Sequence, residues 1–350
     1  MQPPRPPQIP RHQAIVGLVA SLLALLPLAC SADGKGDDEA SSDAGDEDTS
    51  PTGDTGAVEY PETLVGTFQV QLVAPVPASD TSPGSPGKTA VVGKVYDGET
   101  PATIIWEPGT KLGECQLFTP RVPFCETSCG GSAVCVEDDT CAPYPTAGSA
   151  GTITVKGLKT TDDATEFTMD PIANNYQPPG TITLAYPAFA EGDLITLEAP
   201  GADVDAFKLS ARGIAQLALK NASIPLVADT PVNLQWTPAA DTTRSSIHVK
   251  LDISHHGGSK GMIECDTADA GSLELPGALI TELLDLGVAG FPSIIVTRRS
   301  VGSAAIATGR VDLVISAKTE HFVDIEGVTS CSDTSECPNG QTCQDDLTCK

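Results

Sequence analysis

Two clusters of four cysteines constrain the fold of this 350-residue chain more than any other feature of its sequence. In each cluster, the last three cysteines are separated by five residues and then by five more. The clusters are Cys125, Cys129, Cys135 and Cys141, and Cys331, Cys337, Cys343 and Cys349. A shared spacing of this kind indicates an internal repeat. We therefore predict two small disulfide-rich knots, one within residues 115–145 and one over residues 331–350.

Two further cysteines of the chain body, Cys115 and Cys265, lie outside the clusters. If each cluster closes on itself, three pairings remain open within each, and Cys115 must pair with Cys265. That bridge closes a very long loop, which is worth on the order of 5 kcal/mol in the chain-entropy treatment of disulfides. Zinc is the alternative for the clusters, but both lack the paired Cys-x2-Cys spacing of zinc sites.

Residues 1–29 have the organisation of an export signal. Arg5 and Arg11 give a weakly basic start, and the run from Ala14 to Ala29 then carries no charge. Because this apolar run is shorter than the ~20 residues that a helix needs to cross a bilayer, a signal peptide is favoured over a membrane span. An exported chain with many cysteines is expected to form disulfides.

The end of the apolar run resembles a bacterial lipoprotein signal. Leu28-Ala29-Cys30 places a small residue directly before a cysteine, and Ser31 follows it. The resemblance implies that Cys30 is lipidated and becomes the mature N-terminus, and that Ser31 favours the outer membrane. An ordinary secretory signal with an incidental cysteine is the alternative. Lipidation of Cys30 leaves an even set of ten cysteines for bridging.

Residues 30–63 are strongly acidic. Between residues 31 and 62, eleven Asp and Glu residues stand against one basic residue, Lys35, in a background of Ser, Gly and Thr. Such a segment cannot bury enough apolar surface to fold, so we predict a disordered tether. Calcium is the cofactor weighed here, but Asp33 to Asp37 lacks the Asp ladder and the distant Glu of a calcium loop. No cofactor is expected.

The charge of the chain excludes one class of partner. The sequence has 46 acidic and 20 basic residues, a formal net charge of -26. Without Arg5 and Arg11 the mature chain carries -28, of which -18 lies from Thr63 onward. Because phosphate binding needs a surplus of Lys and Arg, nucleic acid is not expected as a partner.

Between the cysteines, the sequence pattern is that of β-strands. Apolar and polar residues alternate in segments such as Phe68 to Leu72 and Ile247 to Ile253, and Pro and Gly separate the segments. The chain is therefore predicted to be all-β, with a small β-region at 64–114 and an Ig-like β-sandwich at 150–328. One segment differs, because Gly277 to Leu286 has leucines at helical spacing and is predicted as a helix.

Two parts of the chain resemble known surface proteins. The stretch from Pro231 to Leu286, with its Trp-Thr-Pro strand, loosely resembles Ig-like domains of anchored surface proteins. The acidic tether, the Cys129-Gly130-Gly131 segment and the C-terminal knot are together similar to outer-membrane lipoproteins of myxobacteria. These resemblances imply a location, lipid-anchored at the outer membrane and outside the cytoplasm, rather than a chemistry.

One group of residues is a candidate ligand or metal site. His255 and His256 lie at the turn after the strand Ile247 to Ile253, and Glu264 and Asp266 lie on the strand that returns. If the two strands form a hairpin, imidazoles and carboxylates converge at one end and could hold a metal ion or a sugar. The alternative is a polar, glycine-rich turn.

Two classes of function follow from the sequence. The first is a lipid-anchored, non-catalytic protein of the cell envelope that binds another envelope protein or a glycan. The alternative is a secreted hydrolase or metal-dependent enzyme that uses the region of His255, His256 and Glu264. No catalytic residue is predicted, because the sequence has neither a Gly-x-Ser-x-Gly elbow nor a His-Glu-x-x-His metal helix.

Overall fold

A computed structural model describes residues 60–78 and 83–350 of the protein. All of these residues belong to one compact unit of the chain. The predicted signal peptide at 1–29, the lipidation site Cys30 and almost all of the tether at 30–63 lie outside the described residues, so these three assignments stay predictions.

Twenty β-strands and one α-helix are present in the described residues, which confirms the predicted all-β fold. The first ten strands are β1 Leu64–Val73, β2 Lys88–Tyr96, β3 Ile105–Leu112, β4 Cys115–Arg121, β5 Ala133–Glu137, β6 Thr140–Pro143, β7 Ala147–Gly148, β8 Ile153–Lys156, β9 Glu166–Met169 and β10 Asn175–Tyr176. The others are β11 Leu194–Ala199, β12 Phe207–Arg212, β13 Pro225–Leu226, β14 Val232–Gln235, β15 Ser246–Asp252, β16 Met262–Ala268, β17 Ser272–Leu275, β18 Ser293–Ile306, β19 Gly309–Phe322 and β20 Asp324–Ile325. The predicted helix is α1, Gly277–Asp285.

Ten strands form the larger sheet. Its main order is β10-β2-β1-β19-β18-β15-β16-β4-β3, and β7 pairs beside β2. At its centre lies the long hairpin of β18 and β19, whose register runs from Ser293 opposite Phe322 to Ile306 opposite Gly309. Strand β1 lies parallel to β19, and it is the one parallel pair of this sheet within the described residues.

A second sheet of four strands, in the order β12-β11-β8-β9, covers one face of the larger sheet. The apolar residues that alternate along the strands of both sheets form a single buried core. Across that core, the ring of Phe68 on β1 lies 5.9 Å from the ring of Phe207 on β12. The sheets approach closely at Gly302, where a Cβ atom would lie 1.8 Å from the carbonyl oxygen of Ser210. The predicted β-sandwich is therefore present.

The small β-region predicted at 64–114 is not separate from the sandwich predicted at 150–328. Strands β1, β2 and β3 belong to the larger sheet, where β1 pairs with β19, β2 with β1 and β10, and β3 with β4. Cys115 likewise belongs to β4 of that sheet, so the first knot begins at Cys125 rather than at residue 115. A separate three-stranded region would expose unpaired strand edges, which pairing within one large sheet removes.

Five disulfides join the ten cysteines of the described residues. They are Cys115–Cys265, Cys125–Cys135, Cys129–Cys141, Cys331–Cys343 and Cys337–Cys349. Both knots therefore link their first cysteine to the third and their second to the fourth, which decides between the three pairings that the sequence left open. The backbone repeats as well, since Asp139 and Leu347, each two residues before the last cysteine, both have positive φ angles.

A buried ion pair joins the centre of the larger sheet to the turns around it. Arg298 on β18 is 1% exposed, and Asp269, directly after β16, is 0% exposed. The guanidinium donates two hydrogen bonds to the carboxylate, which also accepts from Trp236 Nε1 at 2.8 Å and from Ser245 Oγ at 2.7 Å. The remaining Arg298 donors reach the backbone carbonyls of Ala215, Gln216 and Thr237.

The number of partners explains why two charges are tolerated in this core. A guanidinium has five N–H donors and a carboxylate about four acceptor positions, and each of them is used here. Burial opposes the ionisation of Asp269, but the hydrogen bonds from Arg298 and Ser245 outweigh it and hold the pKa of this carboxyl below its ordinary value. The pair is therefore charged in the folded protein at neutral pH.

The bridge between Cys115 and Cys265 is expected to contribute more stability than a bridge within a knot. It joins residues 150 positions apart, whereas Cys129–Cys141 spans 12. In the chain-entropy treatment these loops are worth about 5 and about 3 kcal/mol. We predict that replacing Cys115 and Cys265 by Ala lowers the free energy of unfolding by about 2 kcal/mol more than the same change at Cys129 and Cys141. Urea titration checks this, and equal losses would contradict it.

The substitution Arg298→Met is expected to cost about 3–5 kcal/mol, because it leaves the Asp269 carboxylate buried without its cation. The matched change Arg244→Met breaks an exposed pair with Asp241 and should cost no more than about 1 kcal/mol. Because the pKa of Asp269 is lowered in the folded protein, the ion pair contributes its full stabilisation at pH values above the ordinary Asp pKa. This stabilisation is lost as the pH falls through the lowered pKa. When the pH is lowered, the urea midpoint of Arg298→Met should therefore change less than that of the unaltered protein. Equal losses of unfolding free energy in Arg298→Met and Arg244→Met would refute the stabilising role given to the Arg298–Asp269 pair.

Candidate functional site

A cleft of about 620 Å³ lies at the open end of the long hairpin. It is built from β13, β20, the end of β19 and the residues before β18. Its lining is Pro225, Val227, Phe291, Pro292, Phe322, Val323, Asp324, Ile325, Glu326, Val328 and Ser330. Eight of these eleven residues are apolar, and none of them is basic. The cleft thus combines an apolar floor with a negative charge.

The aromatic part of the cleft is exposed because the sheet ends there. The register of β1 with β19 stops at Leu72 opposite Ala317, so within the described residues the stretch 318–322 pairs only with β18. Phe322, at the end of this stretch, is 70% exposed, and its ring lies 6.4 Å from the ring of Phe291. A large exposed aromatic residue beside an apolar depression is typical of a binding surface.

The acidic part of the cleft has no cationic partner. The carboxylates of Asp324 and Glu326 form no ion pair within the described part of the chain. Asp324 belongs to β20, which is held by parallel pairing with β13, where Pro225 lies opposite Asp324, and Glu326 directly follows this strand. The two carboxylates therefore stand on a fixed backbone, and their charge is available to a ligand.

Two histidines lie beside the cleft, at the turn after β15. The Nε2 atom of His255 lies 3.8 Å from Glu320 Oε1, and the Ser293 hydroxyl donates to the same oxygen at 2.9 Å. The rings of His255 and His256 lie 4.0 Å apart, and the His256 ring meets the edge of Phe291 at 6.5 Å. The turn that the sequence predicted at His255 and His256 thus forms one border of the cleft.

The carboxylates predicted with these histidines lie elsewhere. Glu264 and Asp266 are in the middle of β16, opposite Lys250 and His248 of β15. His248 Nδ1 and Asp266 Oδ1 are 3.1 Å apart, and Arg299 donates to the same Asp266 oxygen. The four residues of the predicted ligand set therefore occupy two positions, with the histidines at the strand end and the carboxylates along the strand.

The two carboxyl groups on β16, Asp266 and Glu264, have pKa values shifted in opposite directions. Burial alone would raise the pKa of Asp266, but the hydrogen bond from His248 and the charge of Arg299 outweigh it and place that pKa below its ordinary value. For Glu264, burial is the largest cause and raises the pKa, and the neighbouring side chains of His248 and Lys250 only partly offset it. Asp266 is thus held in an ion pair with a basic side chain of the same sheet face.

The cysteine clusters are the sites where metal-ligand atoms lie closest together in the described chain. Cys125, Cys129 and Cys135 form one such group, and the second knot contains another. Their sulfurs are joined in disulfides and are therefore not metal ligands. Outside the two knots, no three His, Cys, Asp or Glu residues of the described chain place their ligand atoms within 4.8 Å of one another.

Comparisons with known proteins do not assign the chain to a family. No family model and no curated protein matches the sequence. One of the solved structures that match is the crystal structure of the FN1–FN3 domains of chicken CNTN1, at 6% identity over 71% of this chain and 84% of that one. Its TM-score is 0.19, so this likeness carries no conclusion about function. No helix of the described residues is long and apolar enough to cross a membrane.

Sequence reasoning missed the cleft because distant segments build it. Pro225, Phe291 and Phe322 are far apart in sequence, and each alone has the appearance of a strand or loop residue. One signal was present, since Phe322 ends a long alternating strand on the face opposite to its apolar residues. Glu320 was missed for the same reason, because it is brought to His255 only by the pairing of β18 with β19.

Proposed function

We propose that the protein is a lipid-anchored, non-catalytic protein of the cell envelope that binds an extended segment of another envelope protein in the cleft. The observation that carries this proposal is the cleft itself, in which an exposed aromatic floor adjoins two carboxylates without ion-pair partners. Binding surfaces commonly combine apolar and aromatic area with a few polar groups in this way.

Charge complementarity favours a basic partner. Asp324 and Glu326 attract Lys or Arg side chains, and the faces of Phe291 and Phe322 accept both apolar groups and cations. The neighbouring stretch 318–322 pairs with a strand on one side only, within the described residues, and an extended chain can add to such an edge. A glycan would rely on more hydrogen-bonding side chains than the three polar residues of the lining provide.

The disulfides support export and anchoring. All ten cysteines of the described residues are paired, which is the state expected of an exported protein. Cys30 then remains as the cysteine without a bridging role, in the position that the lipoprotein resemblance gives it. Attachment there presents the folded unit on the acidic tether at the outer membrane, with the tether and the anionic surface repelling each other.

The cleft is tested with two labelled peptides that share Val and Pro residues and differ in charge, one with two Lys and one with two Glu. We expect the Lys peptide to bind and added salt to weaken it. Phe322→Ser should weaken binding about tenfold, because it removes the aromatic floor. Phe124→Ser is the matched control, since Phe124 is also 70% exposed but lies at the first knot.

Fluorescence anisotropy measures both affinities. Equal binding of the Lys and Glu peptides, or an unchanged affinity after Phe322→Ser, would contradict a cleft that selects basic segments. Glycan binding that Phe322→Ser abolishes, without peptide binding, would identify the other class of ligand and refute the proposed partner.

The anchor is tested by intact-mass measurement of the protein from the membrane fraction. We expect a mature chain that begins at Cys30 and carries the added mass of acyl chains. Cys30→Ser should release the protein from the membrane fraction, because acyl chains provide the predicted attachment. A mature N-terminus at Ser31, or a Cys30 without acyl mass, would exclude the lipid anchor.

A further inference from the structure

We propose that His255, His256 and Glu320 bind a divalent transition-metal ion such as Zn²⁺ at the border of the cleft. This proposal is independent of the lipid anchor and of peptide binding. It also differs from the ligand set that the sequence predicted, because the carboxylate comes from β19 rather than from β16.

The carboxylate is held in place for this role. Glu320 is paired opposite Ile295 in the long hairpin, and the Ser293 hydroxyl donates to its Oε1 atom at 2.9 Å. His255 Nε2 lies 3.8 Å from the same oxygen. Two ligand groups at this separation need only small movements to share one ion, since Zn–N and Zn–O bonds are about 2.0–2.2 Å long.

The backbone of the turn brings both imidazoles to one side. Neighbouring residues of an extended strand point to opposite faces, but His256 has a φ angle of 64°, and the two rings lie 4.0 Å apart. The carbonyl of His255 accepts from Phe291 N at 2.7 Å, which fastens the turn to the segment before β18. A Cβ atom on Gly290 would lie 2.0 Å from that carbonyl oxygen, so this contact requires glycine.

His256 is the third proposed ligand, and its side chain must rotate to reach the ion. His256 is exposed and its ring faces the edge of Phe291, so the three groups are not yet within 4.8 Å of one another. No hydrogen bond holds the His256 ring in the described chain, and side-chain rotation can bring it towards the ion. Two imidazoles and one carboxylate form a ligand set suited to Zn²⁺, with a fourth position left open.

The other carboxylates on this face are engaged elsewhere. Asp266 is held by His248 and Arg299, and Glu264 lies opposite Lys250. Asp252, at the end of β15, accepts from both the backbone N–H and the hydroxyl of Ser254. Glu320 is therefore the carboxylate that the topology supplies to His255. This choice between Glu320 and Glu264 gives the proposal a matched pair of test positions.

The experiment is isothermal titration of the whole folded protein with ZnCl₂ after treatment with a chelator. We expect one binding event, and His255→Ala, His256→Ala and Glu320→Gln should each weaken it about tenfold or more, since the loss of a ligand exceeds the effect of an outer-shell change. His248→Ala and Glu264→Gln are the matched controls and should leave the affinity unchanged. Circular dichroism of each variant establishes that it is folded.

Three results would overturn the proposal. The first is an absence of Zn²⁺ binding by the unaltered protein. The second is an affinity that His255→Ala and His256→Ala leave unchanged while the variants remain folded. The third is an equal loss in His248→Ala or Glu264→Gln, which would place the ion along β15 and β16 rather than at the turn. Peptide binding to the cleft is measured separately, so that failure of one proposal does not decide the other.

Discussion

The buried ion pair between Arg298 and Asp269 holds the centre of the larger sheet to the segments around it. The guanidinium of Arg298 lies at the centre of the long hairpin, and its partners come from the residues after β12, β14 and β16. The carboxylate of Asp269 also accepts hydrogen bonds from Trp236 and from Ser245, which directly precedes β15. The Arg298–Asp269 pair therefore joins four separate segments to β18. The hairpin that it fixes also carries Glu320 and Phe322 to the cleft.

The sequence was a good guide wherever a pattern repeats locally. Alternation of apolar and polar residues predicted β15, and the repeated cysteine spacing predicted two knots. It was a poor guide to pairings between distant segments. The parallel pairing of β1 with β19 joins residues more than 240 positions apart, and it merges two predicted regions into one sheet. Local composition contains no information about such a register.

The candidate site shows the same limit. The two histidines were found because they are adjacent in sequence, but their carboxylate could not be, since Glu320 reaches them through the hairpin register. Asp269 belongs to a short acidic, glycine-containing run that has the composition of a turn. Only the fold shows that its side chain is buried beside Arg298. Charged residues are mostly exposed in folded proteins, so a sequence pattern does not predict that one of them is buried.

We propose the cleft at the end of the hairpin as the binding surface of the molecule. Amide hydrogen exchange of the full chain, with and without the lysine peptide, tests it most directly. We expect slower exchange in residues 318–328 and around Phe291, where the floor and the open strand edge lie. Protection confined to the outer face around His248 and Glu264, with residues 318–328 unchanged, would contradict it.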